Sequence, residues 1–287
     1  MVAIFKREFF SYFRTSIGFL YMGLFLLLTG IFFTFGNIFS GSSQYMGFLG
    51  SVLFIFLFAV PLLTMRLFSE ERRQKTDQIL LTSPVSIPAI VCGKFFAALA
   101  VYSGTLLVTV IYAALIAIYG DLQTWETVGS YLGFIFLGAC YLSLGVFISS
   151  MTENQLAAAL VTFFVLMMIL LIDPVSQAIP SSTQAGIISA SVLLALLVLF
   201  LFFSTRNWVI ALAAAVLGSL AIVLLYYFKR DIFFGFAHTV IGWFSLNRRY
   251  ESFSVGLVRL DSLVYYISFC TLFLFLTVRL IEKRRWT

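Results

Sequence analysis

Charged side chains are scarce in this chain of 287 residues: Asp, Glu, Lys and Arg together make up 10% of it, against 62% hydrophobic residues. A soluble globular domain carries about 25% charged and about 45–50% apolar residues. The polar residues are too few to cover a water-facing globule of this size, and the mean hydropathy of +1.06 agrees. The composition therefore excludes a soluble enzyme, a secreted disulfide scaffold and a nucleic-acid-binding domain, and it predicts a polytopic membrane protein.

Residues that carry chemistry are equally scarce. The single histidine, His238, excludes histidine clusters for metals, and a Ser/His dyad would have to use it although no G-x-S-x-G supplies an activated serine. The three cysteines have no C-x-x-C spacing and are typical of packing residues. The only Gly-Lys pair, Gly93-Lys94, is followed by Phe95, so the sequence contains no P-loop. We therefore expect no catalytic site, metal or cofactor in this chain.

Apolar stretches account for most of the chain. A bilayer core of about 30 Å needs about 20 apolar residues of helix. Eight stretches come near that length, at 16–36, 48–68, 91–119, 128–149, 156–172, 187–203, 208–228 and 262–281. The sequence thus predicts an all-α bundle of about eight spans forming a single membrane-spanning domain over 1–287. The stretches at 156–172 and 187–203 are short, and broken or re-entrant helices are the alternative there.

Basic residues indicate the orientation of these spans. With both termini in the cytosol, 13 of the 18 basic residues lie inside and five lie outside, namely Lys229, Arg230, Arg248, Arg249 and Arg259. The positive-inside rule favours this arrangement, and residues 1–15 then form an interfacial helix on the cytoplasmic surface. Because no charge falls at the centre of a predicted span, an ion-coupled transporter is disfavoured. The energy for any transport must come from another source.

Two connections between the spans are longer and more patterned than turns. After the second span, charge is concentrated at 70–77, an apolar tip follows at 79–81, and Pro84 ends the helix. Such a helix suits a groove on a soluble partner, and the alternative is a solvated interfacial helix whose leucines touch lipid. The outer loop at 229–261 is amphipathic and rich in aromatics. It either lines the exit of a translocation path or anchors the last span as an aromatic belt.

The first of these connections also carries a resemblance. The stretch from Met65 to Lys94, with Glu-Glu-Arg at 70–72, Leu-Leu-Thr-x-Pro-Val-Ser at 80–86 and Gly-Lys-Phe at 93–95, resembles the coupling-helix region of type 2 ABC exporter permeases. Residues 130–155 and 260–286 are similar to the branch that includes the gliding-motility permease GldF and the NosY permease. The hairpin at 187–228 looks like an addition to a six-span core.

This resemblance implies a permease in the bacterial cytoplasmic membrane that is coupled to a separate ABC ATPase, which binds the ATP and Mg²⁺. A coupling helix at 69–88 would dock on that ATPase. The residues carried over for docking are Glu70, Glu71, Arg72, Thr76, Asp77, Leu80, Leu81 and Pro84. The sequence departs from the family at Lys75, where glycine is frequent, and at Gln78, where glutamate is frequent.

The resemblance further implies a second permease copy, in a homodimer or pseudo-dimer, and some members of the family also work with an extracytoplasmic auxiliary protein. Membrane lipid is the remaining expected partner, and we expect no nucleic acid. An alternative function is a non-transporting membrane scaffold or assembly factor that recruits an ATPase and an auxiliary protein. A secondary transporter is a third interpretation, and the uncharged span centres disfavour it.

Overall fold

The computed structural model of the protein describes residues 1–41, 45–76 and 85–285, and all regular elements in these ranges are helical. This confirms the predicted all-α fold class. The α-helices, numbered along the chain, are α1 (Val2–Arg14), α2 (Ser16–Phe33), α3 (Tyr45–Val52), α4 (Phe56–Thr64), α5 (Ser69–Arg73), α6 (Ile87–Val108), α7 (Val110–Tyr119), α8 (Thr124–Met151), α9 (Gln155–Ala178), α10 (Thr183–Thr205), α11 (Trp208–Phe228), α12 (Phe236–Phe244), α13 (Leu246–Ser254) and α14 (Leu260–Arg285).

Eight helical segments are long and apolar enough to cross a bilayer, and they correspond one for one to the predicted spans. They are Ser16–Ile38, Phe48–Arg73, Ile87–Tyr119, Thr124–Met151, Gln155–Ala178, Thr183–Thr205, Trp208–Phe228 and Leu260–Arg284. Helices α9 and α10 are continuous over 24 and 23 residues, about 35 Å each at a rise of 1.5 Å per residue. Both are long enough to span, which removes the reason for treating them as re-entrant.

The chain divides into two compact units. The first comprises Met1–Ile169 and Arg249–Thr287, and the second comprises Leu170–Arg248. The second unit includes the hairpin predicted at 187–228, now seen as α10 and α11. The predicted outer loop at 229–261 contains a 3₁₀ turn at Arg230–Phe233 together with α12 and α13.

Helix α8 forms the centre of the first unit, because α4, α6 and α14 all pack against it. Small residues on α8 allow these approaches: a Cβ placed on Gly138 would lie 2.5 Å from the ring of Tyr102, and one on Gly145 would lie 2.3 Å from Oγ1 of Thr64. Toward α14, the thiol of Cys140 is buried 3.6 Å from the thiol of Cys270. These small and apolar contacts are those of closely packed membrane helices.

The G-x-x-x-G pattern at the start of α8 is covered by the same chain. A Cβ on Gly129 would lie 2.6 Å from the carbonyl oxygen of Phe253, and one on Gly133 would lie 2.5 Å from Cβ of Phe253. The ring of Tyr250 lies on the same side, 3.1 Å from a Cβ on Gly133. This glycine face therefore serves packing within the chain.

In the second unit, α10 and α11 form an antiparallel hairpin closed by local capping. Arg206 ends α10 in a left-handed conformation with φ of +48°, and the side chain of Asn207 accepts a hydrogen bond from the backbone N–H of Val209 at 3.0 Å. At the other end of α10, Gly186 lies directly against the backbone of Phe233, since a Cβ there would come within 1.8 Å of the carbonyl oxygen. Capping and one close contact thus fix the ends of α10.

Candidate functional site

The candidate site is built around the end of the second span, and helix α1 forms one wall of it. Ile4, Glu8 and Tyr12 recur at every fourth position and therefore share one face of α1. Ile4 and Tyr12 are buried, while Phe10 on the opposite face is exposed. On the buried side α1 packs along α6, where a Cβ on Gly93 would lie 3.1 Å from the side chain of Ile4. This close approach places Glu8 beside the base of α6.

Helix α4 is followed by a turn at 65–68, and α8 fixes this turn. The hydroxyl of Ser149, buried in α8, accepts hydrogen bonds from the backbone N–H groups of Phe68 at 3.2 Å and Ser69 at 3.4 Å, and it donates to the carbonyl of Met65 at 3.3 Å. The first N–H groups of a helix have no acceptor within the helix. Ser149 therefore supplies a cap that holds the start of α5 against α8.

Arg66 ties the same turn to the end of α1. Its guanidinium donates to Oγ1 of Thr15 at 2.8 Å and to Oγ of Ser11 at 2.5 Å, and it lies 5.3 Å from the ring centroid of Tyr12. The hydroxyl of Tyr12 donates to the carbonyl of Leu63 at 2.6 Å. Because burial raises the pKa of Tyr12, the phenol keeps the proton that this hydrogen bond requires.

A cluster of four charged residues, built around the buried Lys94 and closed by the half-exposed Arg7, lies at the centre of the site. Lys94, on α6, is only 1% exposed; its Nζ donates to the carbonyl of Leu67 at 2.7 Å and lies 2.9 Å from Oε1 of Glu71 and 3.2 Å from Oε1 of Glu8. Arg7 closes the cluster, with Nη2 2.8 Å from Glu71 and 2.6 Å from Glu8. We call Arg7, Glu8, Glu71 and Lys94 the Lys94 cluster. Its two positive and two negative charges balance, and it joins α1, α5 and α6.

Electrostatic interactions favour the charged forms of Glu8 and Arg7. Burial disfavours the carboxylate of Glu8, but the ammonium of Lys94 and the guanidinium of Arg7 outweigh it, so the pKa of Glu8 lies below its ordinary value of 4.5. For Arg7, burial disfavours the guanidinium, and the carboxylates of Glu8 and Glu71 nevertheless hold its pKa above the ordinary value. Removing one partner of a buried ion pair costs about 3–5 kcal/mol, because the other charge is left uncompensated. A cost of this kind applies to Lys94, which is 1% exposed, whereas the side chain of Arg7 is 53% exposed and water weakens its ion pairs.

Helix α5 ends after Arg73 in a left-handed turn. The backbone N–H of Thr76 donates to the carbonyl of Glu71 and that of Lys75 to the carbonyl of Arg72, each at 3.0 Å. These are the two hydrogen bonds of a Schellman motif, with Lys75 at its left-handed position and φ of +57°. Glycine is favoured at that position. This is a physical reason for the glycine that the permeases resembled by this sequence often carry there.

Arg72 connects α5 to the turn between α8 and α9. It forms an ion pair with Glu153, and its Nη1 donates to the carbonyl of Met151 at 3.3 Å. The side chain of Glu153 is 63% exposed, and exposed ion pairs contribute about 0–1 kcal/mol. This contact therefore orients α5 without holding it as strongly as the Lys94 cluster does.

Four of the eight residues predicted to dock on a partner are among the described residues. Glu71 points inward to the Lys94 cluster, and Arg72 pairs with Glu153. Glu70 is 3.9 Å from the guanidinium of Arg66, and Thr76 is exposed. The other four, Asp77, Leu80, Leu81 and Pro84, lie outside the described residues.

The exposed part of the described segment comes after these anchored residues. Arg73, Gln74, Lys75 and Thr76 are all exposed. Two of the four are cations, so this stretch presents positive charge to its surroundings. We call residues 73–76 the exposed turn.

The helix predicted over 69–88 differs from the structure. Helix α5 covers only Ser69–Arg73, the left-handed Lys75 interrupts it, and α6 already begins at Ile87. The physical reason is the Schellman motif, whose backbone geometry ends a helix. The turn could not be predicted from the sequence, because the stretch consists mostly of charged residues that favour a helix and has lysine, not glycine, at position 75.

Sequence analysis missed the residues that hold the segment in place, chiefly Glu8, Arg66, Lys94 and Ser149. Their partners are distant in the chain, so no local pattern joins them. One signal was present: Lys94 is a single charge seven residues into an apolar helix, and a buried lysine needs a counter-charge. The fourfold spacing of Ile4, Glu8 and Tyr12 was the complementary signal on α1.

Chemistry elsewhere in the described ranges is sparse. No three His, Cys, Asp or Glu side chains in them come close enough to hold a metal ion. In the second unit, Nδ1 of His238 lies 3.0 Å from Oγ of Ser176, and the carboxylate of Asp173 accepts a hydrogen bond from Ser245 at 2.7 Å. In a hydrolase triad the carboxylate instead orients the imidazole. This pair of contacts is therefore not arranged as a triad.

A known protein family matches more than half of the chain. Residues 33–181, just over half of the chain, match the model of a family described as ABC-2 family transporter protein. The matched range contains the end of the second span, α5, α6 and α8. No curated protein matches the sequence.

Proposed function

The chain belongs to the ABC-2 family of transporter proteins, and from this membership we propose that it is the permease of an exporter whose ATPase docks on the segment at 65–84. The family places it as a multi-pass membrane subunit of an ABC transporter. Such a subunit works in general with an ABC ATPase, which binds the ATP and Mg²⁺. In this proposal both termini and the 65–84 segment face the cytosol of a bacterium, and the chain falls in the GldF and NosY branch.

One observation carries the proposal: the start of this segment is fixed to three different parts of the bundle. Ser149 holds it to α8, Arg66 holds it to α1, and Glu71 holds it to α6 through Lys94. An element that only touched lipid would not need buried charges to fix its position. A helix that transmits motion to the spans does need such a connection, because a helix with a mobile end would move without displacing the spans. The segment is therefore suited to pass ATPase closure to the spans and to switch the permease between inward- and outward-facing states.

The structure supports a division of roles among the predicted docking residues. Glu71 and Arg72 are engaged within the chain, so we propose that they anchor the segment. Docking then falls to the exposed turn and to the apolar residues Leu80 and Leu81. Because Arg73 and Lys75 are both exposed cations, the matching surface of the ATPase should carry acidic side chains.

Charge reversal in the exposed turn tests this proposal. We expect the double variant Arg73→Glu/Lys75→Glu to insert and fold but to lose the ATPase that co-purifies with the wild-type chain, because attraction becomes repulsion. Leu80→Asp/Leu81→Asp should act in the same way by destroying the apolar contact. The matched control is Lys229→Glu/Arg230→Glu, which reverses two exposed cations at the end predicted to face outward and should keep the ATPase. Equal retention of the ATPase by all three variants would remove the proposed docking site.

Reconstitution into liposomes tests the transport step separately. We expect ATP-dependent transport of cargo that requires the permease. We also expect the purified complex to contain a second copy of the permease. An ATPase that binds and hydrolyses ATP without transport would instead favour the scaffold alternative.

A further inference from the structure

The ammonium of Lys94 uses all of its hydrogen-bonding capacity inside the protein. An ammonium has three donors, and Lys94 finds three acceptors: the carbonyl of Leu67 and the carboxylates of Glu71 and Glu8. It also lies 5.2 Å from the ring centroid of Phe68. Only 1% of its side chain is exposed, so the ammonium does not contact water while these hydrogen bonds persist.

The contacts of Lys94 connect elements that are far apart in sequence. Glu8 lies on α1, Glu71 on α5, and Lys94 near the start of α6, so the three side chains are separated by 63 and 23 positions. Arg7, on the exposed side of the cluster, contacts the same two carboxylates, those of Glu8 and Glu71. Displacing α5 from both α1 and α6 would therefore break the two ion pairs of Glu71, with Arg7 and with Lys94.

Stability alone does not explain such a cluster. Apolar side chains of similar volume stabilise a buried site as well as ion pairs do, since the desolvation of the charges offsets their attraction. In some proteins buried charges instead select one conformation, and here each of the two cations contacts both carboxylates. The cluster thus favours one position of α1 relative to α5 over neighbouring positions.

We propose that Lys94 is a positioning residue that holds α1 and the 65–76 segment together, so that α1 moves with the segment when the ATPase drives it. This inference rests on the proposed function for its consequence, transmission, but its structural part can be tested in the permease alone. Helix α1 is then a working part of the coupling device rather than only an anchor at the membrane surface.

A distance measurement tests the structural part. Spin labels are placed at Lys6 and Gln74, which are both exposed, in a chain whose three native cysteines are replaced by alanine. We expect one narrow distance distribution in the parent chain and in Lys94→Arg, and a broadened or shifted distribution in Lys94→Met. A distribution that Lys94→Met leaves unchanged would overturn the proposal, whether or not an ATPase is bound.

Coupling is tested in the native complex purified through a tag on this chain. We expect Lys94→Met to retain the ATPase but to lower the permease-dependent stimulation of ATP hydrolysis, per bound ATPase, by about tenfold. Lys94→Arg should restore most of it, because it keeps the charge. Full stimulation per bound ATPase in Lys94→Met, even at a reduced yield of folded protein, would show a merely structural role and overturn the proposal.

Arg259→Met is the matched control for these variants. It also removes one cation from an ion pair, with Asp261, but both side chains are more than half exposed. We expect it to leave the distance distribution and the stimulation unchanged. If the parent complex contains no ATPase, the proposed function fails, and the distance measurement still decides whether Lys94 positions α1.

Discussion

The ammonium of Lys94 and the carboxylate of Glu71 lie 2.9 Å apart; Lys94 is buried near the start of α6, and Glu71 is a partly buried residue of α5. This contact joins the beginning and the end of the connection that carries the proposed docking residues. Through Glu8 it also extends to the N-terminal helix. Ion pairs therefore join the start of the connection between the second and third spans to α6 and, through Lys94 and Glu8, to α1.

The carboxylate of Glu8 should make stability depend on pH in a defined window. Its pKa in the folded protein is below the ordinary value of 4.5, so the folded state binds its proton less readily than the unfolded state does. The stabilisation it provides is then fully present above about pH 4.5 and is lost as the pH falls through the lowered pKa. We expect the melting temperature of the purified permease to exceed that of Glu8→Gln at pH 7, and the difference to shrink below pH 4.5.

The size of this effect can be bounded. A hydrogen bond to a charged group contributes about 1.5–3 kcal/mol, and Glu8 accepts from both Lys94 and Arg7. We therefore expect Glu8→Gln to lower the free energy of unfolding at pH 7 by an amount in that range. A difference between the two proteins that stays constant from pH 7 to pH 3 would contradict the assignment of a charged Glu8. Glu282→Gln, which removes a carboxylate from the i,i+3 pair with the exposed Arg279, is the control and should change little.

Because Lys75 adopts a left-handed conformation, we expect glycine at this position to stabilise the end of α5. A residue with a side chain pays about 1 kcal/mol for this conformation, and glycine does not. We expect Lys75→Gly to increase the protection from hydrogen exchange of the amides of Lys75 and Thr76, which donate to α5, by about fivefold. Lys75→Ala, which removes the charge but keeps the strain, should leave protection near the wild-type level. Equal protection in both variants would mean that the motif does not limit the end of α5.

Gly129 should tolerate no side chain. A Cβ there would lie 2.6 Å from a backbone carbonyl oxygen of Phe253 and 2.9 Å from Cα of Gly256, and backbone atoms cannot rotate away as side chains can. Overpacking of this kind costs about 1–3 kcal/mol, so Gly129→Ala should lower the melting temperature. Gly104→Ala is the matched control, because nothing lies within 4 Å of a Cβ at that helical position. We expect it to raise stability slightly, through the better helix propensity of alanine.

The sequence was sufficient to predict the spans, and the reason is physical. Each span needs about 20 apolar residues in a row, so a local property of the chain decides it, and all eight predicted stretches lie in helices of sufficient length. The same holds for the hairpin of α10 and α11, where four residues at 204–207 leave no room for another topology. Local signals of this kind are visible without any structure.

The candidate site was only partly predictable, because its geometry depends on contacts across the fold. The charged stretch at 70–77 drew attention to the right connection, yet it did not show that Glu71 points inward or that Lys75 reverses the chain. The inward direction of Glu71 depends on Lys94, 23 positions later, and the position of α5 depends on Ser149 in another span. The sequence therefore indicated the connection at 65–84 as the candidate site, and contacts with α1, α6 and α8 show how the start of that connection is held.

The most direct test of the account is to ask what touches the exposed turn in the intact membrane. A photocrosslinking amino acid is placed at Thr76 or, as control, at Lys229, both of which are exposed, and the adducts are identified after irradiation of whole membranes. The account predicts that Thr76 captures a P-loop ATPase of the ABC type and that Lys229 does not. Absence of any ATPase adduct at Thr76, or the same adduct at both positions, would contradict it.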